Sequence, residues 1–154
     1  MPQLAHNRKA NFEYELLDRY EAGLVLSGNE TKAVKAGQIS LKGSFISPRN
    51  NKGKVELYLL SAYISPYKSA ASPSDWEPTR ERKLLLHRQE INRLIGKKLG
   101  EGLTLIPLKI YTKHSFLKLE FAIARGKKKY DKRESIKKRE LDRSLRSLTK
   151  RQMR

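Results

Sequence analysis

His6, His87 and His114 are the only imidazoles in the chain, and their separation gives no HxxxH or HExxH spacing that would set two metal ligands on one helix face. There is no cysteine, which removes thiolate nucleophiles, disulfides and thiolate-held zinc or iron–sulfur sites. No GxxxxGKS, GxxxxGKT, GxGxxG or GxSxG run occurs either, so phosphate cradles and nucleophile elbows have no support. These absences predict no catalytic residue, no metal site and no cofactor, and an enzyme is not expected.

What the residue types do offer is contact with a polyanion. Residues 126–154 read GKKKYDKRESIKKRELDRSLRSLTKRQMR. The blocks Lys127-Lys128-Lys129, Lys132-Arg133 and Lys137-Lys138-Arg139 can neutralise several phosphates, and Tyr130 offers a ring on which a base can stack. Leu141, Leu145 and Leu148 recur at helical spacing, and no Pro or Gly follows Gly126. That stripe is too narrow to drive folding alone, so the tail is expected to be disordered when free and helical against its target.

Two further segments carry candidate contacts. In residues 27–45, Glu30 is either an acceptor for base amino groups or the closing residue of a capping box begun by Ser27. In residues 77–94, Arg80, Arg82, Lys83, His87 and Arg88 are interleaved with Leu84, Leu85 and Leu86, the leucines reading as core. Trp76 and Tyr63 are either base-stacking rings or local packing anchors.

Charge selects among these readings. Against 16 acidic residues stand 34 basic ones, a net of +18 that repels itself unless a polyanion supplies the counter-charge. Residues 125–154 carry +10 of it and residues 1–124 carry +8, which marks a body (1–124) and a basic tail (125–154). An anionic membrane surface is disfavoured because no helix pairs a basic face with Trp or Phe. No run of eighteen apolar residues exists, and the N-terminal stretch lacks the apolar core of a leader, so a cytoplasmic protein is expected.

The elements that must position these residues are mostly strands. Phe12, Tyr14 and Leu16 alternate with Glu13 and Glu15, Val55, Leu57 and Leu59 with Glu56 and Tyr58, and Leu117, Leu119, Phe121 and Ile123 with Lys118, Glu120 and Ala122. Residues 103–111 read as the partner of the last run, with Pro107 requiring an edge or a bulge. Helices are predicted over 28–36, opened by the Ser27 to Glu30 capping box and closed at Gly37, and over 88–99, with Ile91, Leu94, Ile95 and Leu99 on one face and Gly100 and Gly102 ending it. Residues 66–78 form a Pro- and Ser-rich loop. Six or so strands with flanking helices predict a mainly β fold, an oligonucleotide-binding-like antiparallel barrel, closed or partly closed. A basic ribosomal protein or another structural RNA-binding module fits the same composition.

Several long blocks, in order, resemble the small protein B (SsrA-binding protein) family. They are Asn7-Arg8-Lys9-Ala10, YEAGLVLSGNETKAVKAGQISLKGSF (20–45), AYISPY (62–67), EPTRERKLLLHRQEI (77–91), GLTLIPLKIY (102–111) and ARGKKKYDKRESIKKRE (124–140). The resemblance implies a monomer that binds the tRNA-like domain of transfer-messenger RNA and delivers it to stalled ribosomes for trans-translation. It also implies a tail that becomes helical in the empty mRNA channel beside the decoding centre. On the positions of this chain, Glu30 matches a family RNA-contact carboxylate, Leu85 a residue near the RNA-binding face, and His87 a position often held by Asn. Tyr130 matches a tail position that can carry a stacking His, Lys132-Arg133 and Ile136-Lys137-Lys138-Arg139 match the phosphate-contacting pattern, and Leu148 matches an apolar residue used late in tag entry. The sequence diverges beyond Leu141, and the turn Thr112-Lys113-His114-Ser115 lacks the glycine common in the family.

Overall fold

The computed structural model describes residues 3–66, 76–101, 103–126 and 129–152. In chain order the elements are β1 (Gln3–His6), α1 (Ala10–Glu13), β2 (Tyr14–Leu24), α2 (Gly28–Lys35), β3 (Ile39–Ser40), β4 (Phe45–Asn51), β5 (Lys54–Leu60), β6 (Tyr63–Ile64), β7 (Arg82–Leu85), α3 (Arg88–Glu101), β8 (Thr104–Lys113), β9 (Phe116–Gly126) and α4 (Lys129–Gln152).

Alternation sets which way each strand faces. Leu57, Leu59, Leu119, Phe121 and Ile123 all point inward and are fully or nearly fully buried, as their period-two spacing predicts. The strands make one antiparallel sheet in the order β1-β8-β4-β5-β7-β2-β9, and β9 pairs again with β8. The sheet therefore curls into a ring, with β1 on its rim. Between β4 and β8 the contact narrows to Ile46 opposite Leu105, so the barrel is partly closed there. A separate two-stranded sheet joins β3 and β6. Two helices plug the interior: α2 contributes Ala33 and Val34, α3 contributes Ile91 and Leu94, and all four are buried. Pro107 lies in β8 beside a break in the β8–β9 register between Pro107 and Lys109, the bulge that a missing N–H donor demands.

Three expectations need correction. Residues 12–16 are not one strand: Phe12 and Glu13 belong to the helical turn α1, and extended backbone begins at Tyr14. The turn buries Ala10 against Ile106, Leu108, Ala122 and Ala124 on the outside of the barrel, a tertiary contact that outweighs the local alternation. Among the described residues nine strands form rather than six or so, because β1, β3, β6 and β7 are too short to show a period of their own. Gly100 does not stop α3, which continues to Glu101.

The β8–β9 hairpin turns without glycine. His114 and Ser115 have φ of 50° and 68°, the left-handed pair that a two-residue hairpin needs and that Asn-Gly usually supplies. Trp76 is a packing anchor: its indole N–H donates to the Ile64 carbonyl at 2.9 Å, and its ring lies against the core. β9 extends to Gly126, which pairs with Tyr14.

Candidate nucleic-acid interface

Sheet register builds an open surface on the outer face of β2, β7, β8 and β9. Gly23 on β2 is opposite Leu85 on β7 and Lys118 on β9, and Lys118 is in turn opposite Tyr111 on β8. One residue pair along, Glu21 faces Glu120, which faces Lys109. At the turn end, Lys113 faces Phe116. Four residues remote in sequence, Leu85, Gly23, Lys118 and Tyr111, thus form one row across four strands.

Half of this face is a polar lattice. The Tyr111 hydroxyl donates to Glu21 Oε2, Lys113 Nζ approaches Glu21 Oε1 at 3.5 Å, and Glu120 lies between Arg19 at 3.2 Å and Lys109 at 3.3 Å. The Tyr111 hydrogen bond, joined by Lys113 and Lys118, outweighs burial and holds the Glu21 carboxyl below the usual carboxylate range. Burial first, and then the same bond to an anion, push the Tyr111 phenol above its usual range. The phenol is therefore a hydrogen-bond donor at neutral pH. The other half is apolar and cationic, with Leu85 53% and Phe116 68% exposed beside Lys118.

Glu30 lies elsewhere and does not reach the surface. It is only 4% exposed, and its carboxylate is fully engaged. Oε1 accepts from the Ser27 N–H at 3.0 Å and from Arg80, while Oε2 accepts from Arg82 Nε at 2.9 Å and Arg82 Nη2 at 2.7 Å. The Ser27 hydroxyl accepts from the Glu30 N–H, completing the capping box of α2. The expectation of a solvent-facing acceptor at Glu30 is corrected on this ground: no lone pair is left pointing outward. Arg82 is wholly buried and also donates to the carbonyls of Ala62 and Pro78, so the cluster ties α2, β7 and the segment before β7 together. Burial alone would raise the Glu30 carboxyl, but the bonds from Arg80, Ser27 and Arg82 outweigh it and hold it below the usual range.

Of the leucines read as core, Leu84 is buried but Leu85 is not: it lies 53% exposed on the open face, because the strand's alternation turns it outward. His87 is exposed between β7 and α3, and its carbonyl accepts from Glu90 and Ile91 to start that helix. Arg133, Ile136, Lys137, Lys138 and Arg139 lie exposed on α4, where the Arg139 guanidinium sits 5.9 Å over the Phe12 ring. Lys129, Tyr130, Lys132 and Leu148 fall on α4, with side chains outside the described residues; Lys127, Lys128 and Met153 lie outside them altogether. Sequence reasoning singled out none of Glu21, Tyr111, Phe116 and Lys118, which the sheet register gathers on this face. The signal was present as outward positions of clean strands, but alternation alone does not say which outward positions gather.

Comparison with known proteins bears on the whole chain. The family model described as SmpB protein matches residues 4–151. An SsrA-binding protein of Chloroflexus aggregans is 47% identical over 151 residues, 98% of this chain and 93% of the relative. One from Acaryochloris marina is 46% identical over 148 residues, 96% and 94% of the two chains. Among solved structures, a chain from work described as "tmRNA-SmpB: a journey to the center of the bacterial ribosome" superposes with a TM-score of 0.63 at 42% identity, covering 85% of this chain and 92% of that one.

Proposed function

The chain belongs to the SmpB protein family, and from that premise we propose that it binds the tRNA-like domain of transfer-messenger RNA and carries it to stalled ribosomes for trans-translation, without catalysing any step itself. The observation that supports this best is the open face of β2, β7, β8 and β9 on a molecule of net charge +18. There, Glu21 accepts, Tyr111 donates, and Leu85 and Phe116 offer apolar contact, a set suited to reading RNA shape and unpaired bases. In this proposal Glu21, not Glu30, is the recognition carboxylate, and Glu30 holds α2 and β7 in place behind it.

The division into body and tail is part of the same proposal. β9 runs from Phe116 beside the face to Gly126 at the root of the tail, so the two surfaces stand roughly 30 Å apart along one strand. Lys127 to Lys129, Lys132, Arg133 and Lys137 to Arg139 supply salt-dependent phosphate contacts, with Tyr130 stacking and Ile136 and Leu148 meeting the ribosome at the decoding centre and mRNA channel. Ile136 and Leu141 are 42% and 60% exposed, so among the described side chains little apolar packing holds α4, and the helix is expected to be marginal in cytoplasmic solution until a ribosome orders it.

Truncation after Gly126 tests the scheme, since a cut at Ala124 would remove residues paired to β2. The shortened protein should keep its affinity for the isolated tRNA-like domain within a fewfold and lose peptide tagging on stalled ribosomes. Loss of RNA binding with a native melting curve would overturn the two-surface proposal.

A further inference from the structure

The tail helix returns to the barrel at α1. Its root is fixed by β9, whose last residue, Gly126, pairs with Tyr14 directly after α1. About 15 Å along the axis from the start of α4 at Lys129, the Arg139 guanidinium lies 5.9 Å over the Phe12 ring, within cation–π reach. A held root and a held point further on fix the direction of a helix. We propose that α1 is a parking seat for the tail: Phe12 holds Arg139 while the protein is free of RNA, and a phosphate takes Arg139 from the ring when RNA arrives. On the reading of Lys137 to Arg139 as phosphate contacts, on which this rests, the chain carries its own competitor for them.

The placement of the ring supports this. Alternation over residues 12–16 would have carried Phe12 into β2, yet the chain turns through α1 and leaves the ring outside both buried clusters. Ala10 of the same turn is buried against Ile106, Leu108, Ala122 and Ala124, so α1 is anchored and Phe12 is held at a set position on the barrel wall. The ring is nonetheless only half exposed, with Arg139 above it. Glu15 adds a carboxylate at the same tail root, 4.0 Å from Arg125. Arg139 itself forms no ion pair among the described residues, so its charge is uncommitted and a phosphate can claim it.

The contact is weak, and its weakness suits an exchange. An exposed ring face holds a guanidinium only slightly better than water does, whereas a phosphate offers a charge-assisted, two-pronged partner. The tail therefore prefers the barrel to water and RNA to the barrel. Whatever fraction of molecules is parked lowers the apparent affinity of the tail for a polyanion in proportion. Binding through the barrel face does not use Arg139 and escapes this penalty, so the seat discriminates against RNA that offers charge alone.

The test titrates an oligouridine, at one potassium chloride concentration, into the full chain as wild type, Phe12→Ala, Phe12→Leu and Phe12→Trp, and into the chain truncated after Gly126. Phe12→Ala and Phe12→Leu should bind about two- to fivefold more tightly than wild type, the worth of one exposed cation–π contact. Phe12→Leu keeps apolar volume on α1 should alanine disturb the turn. Phe12→Trp, with the better ring face, should bind more weakly than wild type. A second readout follows the tail itself: the chain has no cysteine, so a spin label on Ser144→Cys is unique. It should broaden the amide resonances of Ala10 to Glu13 in the free protein, and the broadening should disappear in Phe12→Leu and on saturation with oligouridine. Affinities of Phe12→Ala and Phe12→Leu equal to wild type overturn the seat. So do lower affinities, which would make the ring an RNA contact, and so does broadening that survives RNA. A truncated chain that binds oligouridine as tightly as wild type would instead sink the reading of the tail as a phosphate-contacting segment, and the broadening would still decide whether the helix parks on α1.

Discussion

Glu30 and Glu21 are both carboxylates held below their usual protonation range by hydrogen bonds from neighbouring side chains, yet one is architecture and the other is surface. Glu30 is sealed under Arg80 and against the wholly buried Arg82 at the base of α2. Glu21 meets Tyr111 and Lys113 on an open sheet, where solvent reaches the same lone pairs. Residue type and charge do not separate the two roles. Desolvation does: an ion pair out of water cannot lose one partner cheaply, whereas one in water can exchange it.

The sharpest way to break this contrast is to truncate each carboxylate. Glu30→Ala leaves the Arg82 guanidinium buried without its counter-charge and should destabilise the fold by about 3–5 kcal/mol in denaturant unfolding. A melt within error of wild type would show that the cluster does not hold the barrel together. Glu21→Ala should change stability by less than about 0.5 kcal/mol. Its effect should appear in the affinity for the tRNA-like domain, as a loss on the order of tenfold. Unchanged affinity would remove Glu21 from the interface.

Acid titration probes the same pair more gently. A carboxyl whose folded pKa is depressed contributes stability that is present above its unfolded value, near 4.5, and is lost as pH falls through the folded value. Unfolding free energy should therefore fall on acidification below about pH 4.5. Glu30→Gln should flatten that fall more than Glu21→Gln does, measured by chemical denaturation at successive pH values.

The smallest effect belongs to the hairpin that frames the interface. Ser115→Gly should raise stability by about 0.5–1 kcal/mol, because glycine adopts φ of 68° without the steric cost that serine bears. The same change should loosen Phe116 and weaken RNA binding slightly, so stability and affinity would move in opposite directions. If both rose, the strain would have no part in presenting the ring.

Local pattern was enough for several parts of this molecule. Alternation at 117–123 oriented β9, Ser27 and Glu30 announced the start of α2, Pro107 announced a bulge, and the surplus of 18 positive charges required an anionic partner. Each of these depends on neighbours a few residues apart or on composition summed over the chain, and both survive without knowledge of the fold. The tertiary structure alone decided which carboxylate is buried, because the partner that buries Glu30 is Arg82, 52 residues away. It also decided the proposed interface, since only the register of four strands brings Leu85, Gly23, Lys118 and Tyr111 into one row. A strand specifies its two faces by a period of two, but which strand lies beside it is set by how the whole sheet closes, and that information is not carried by any segment alone.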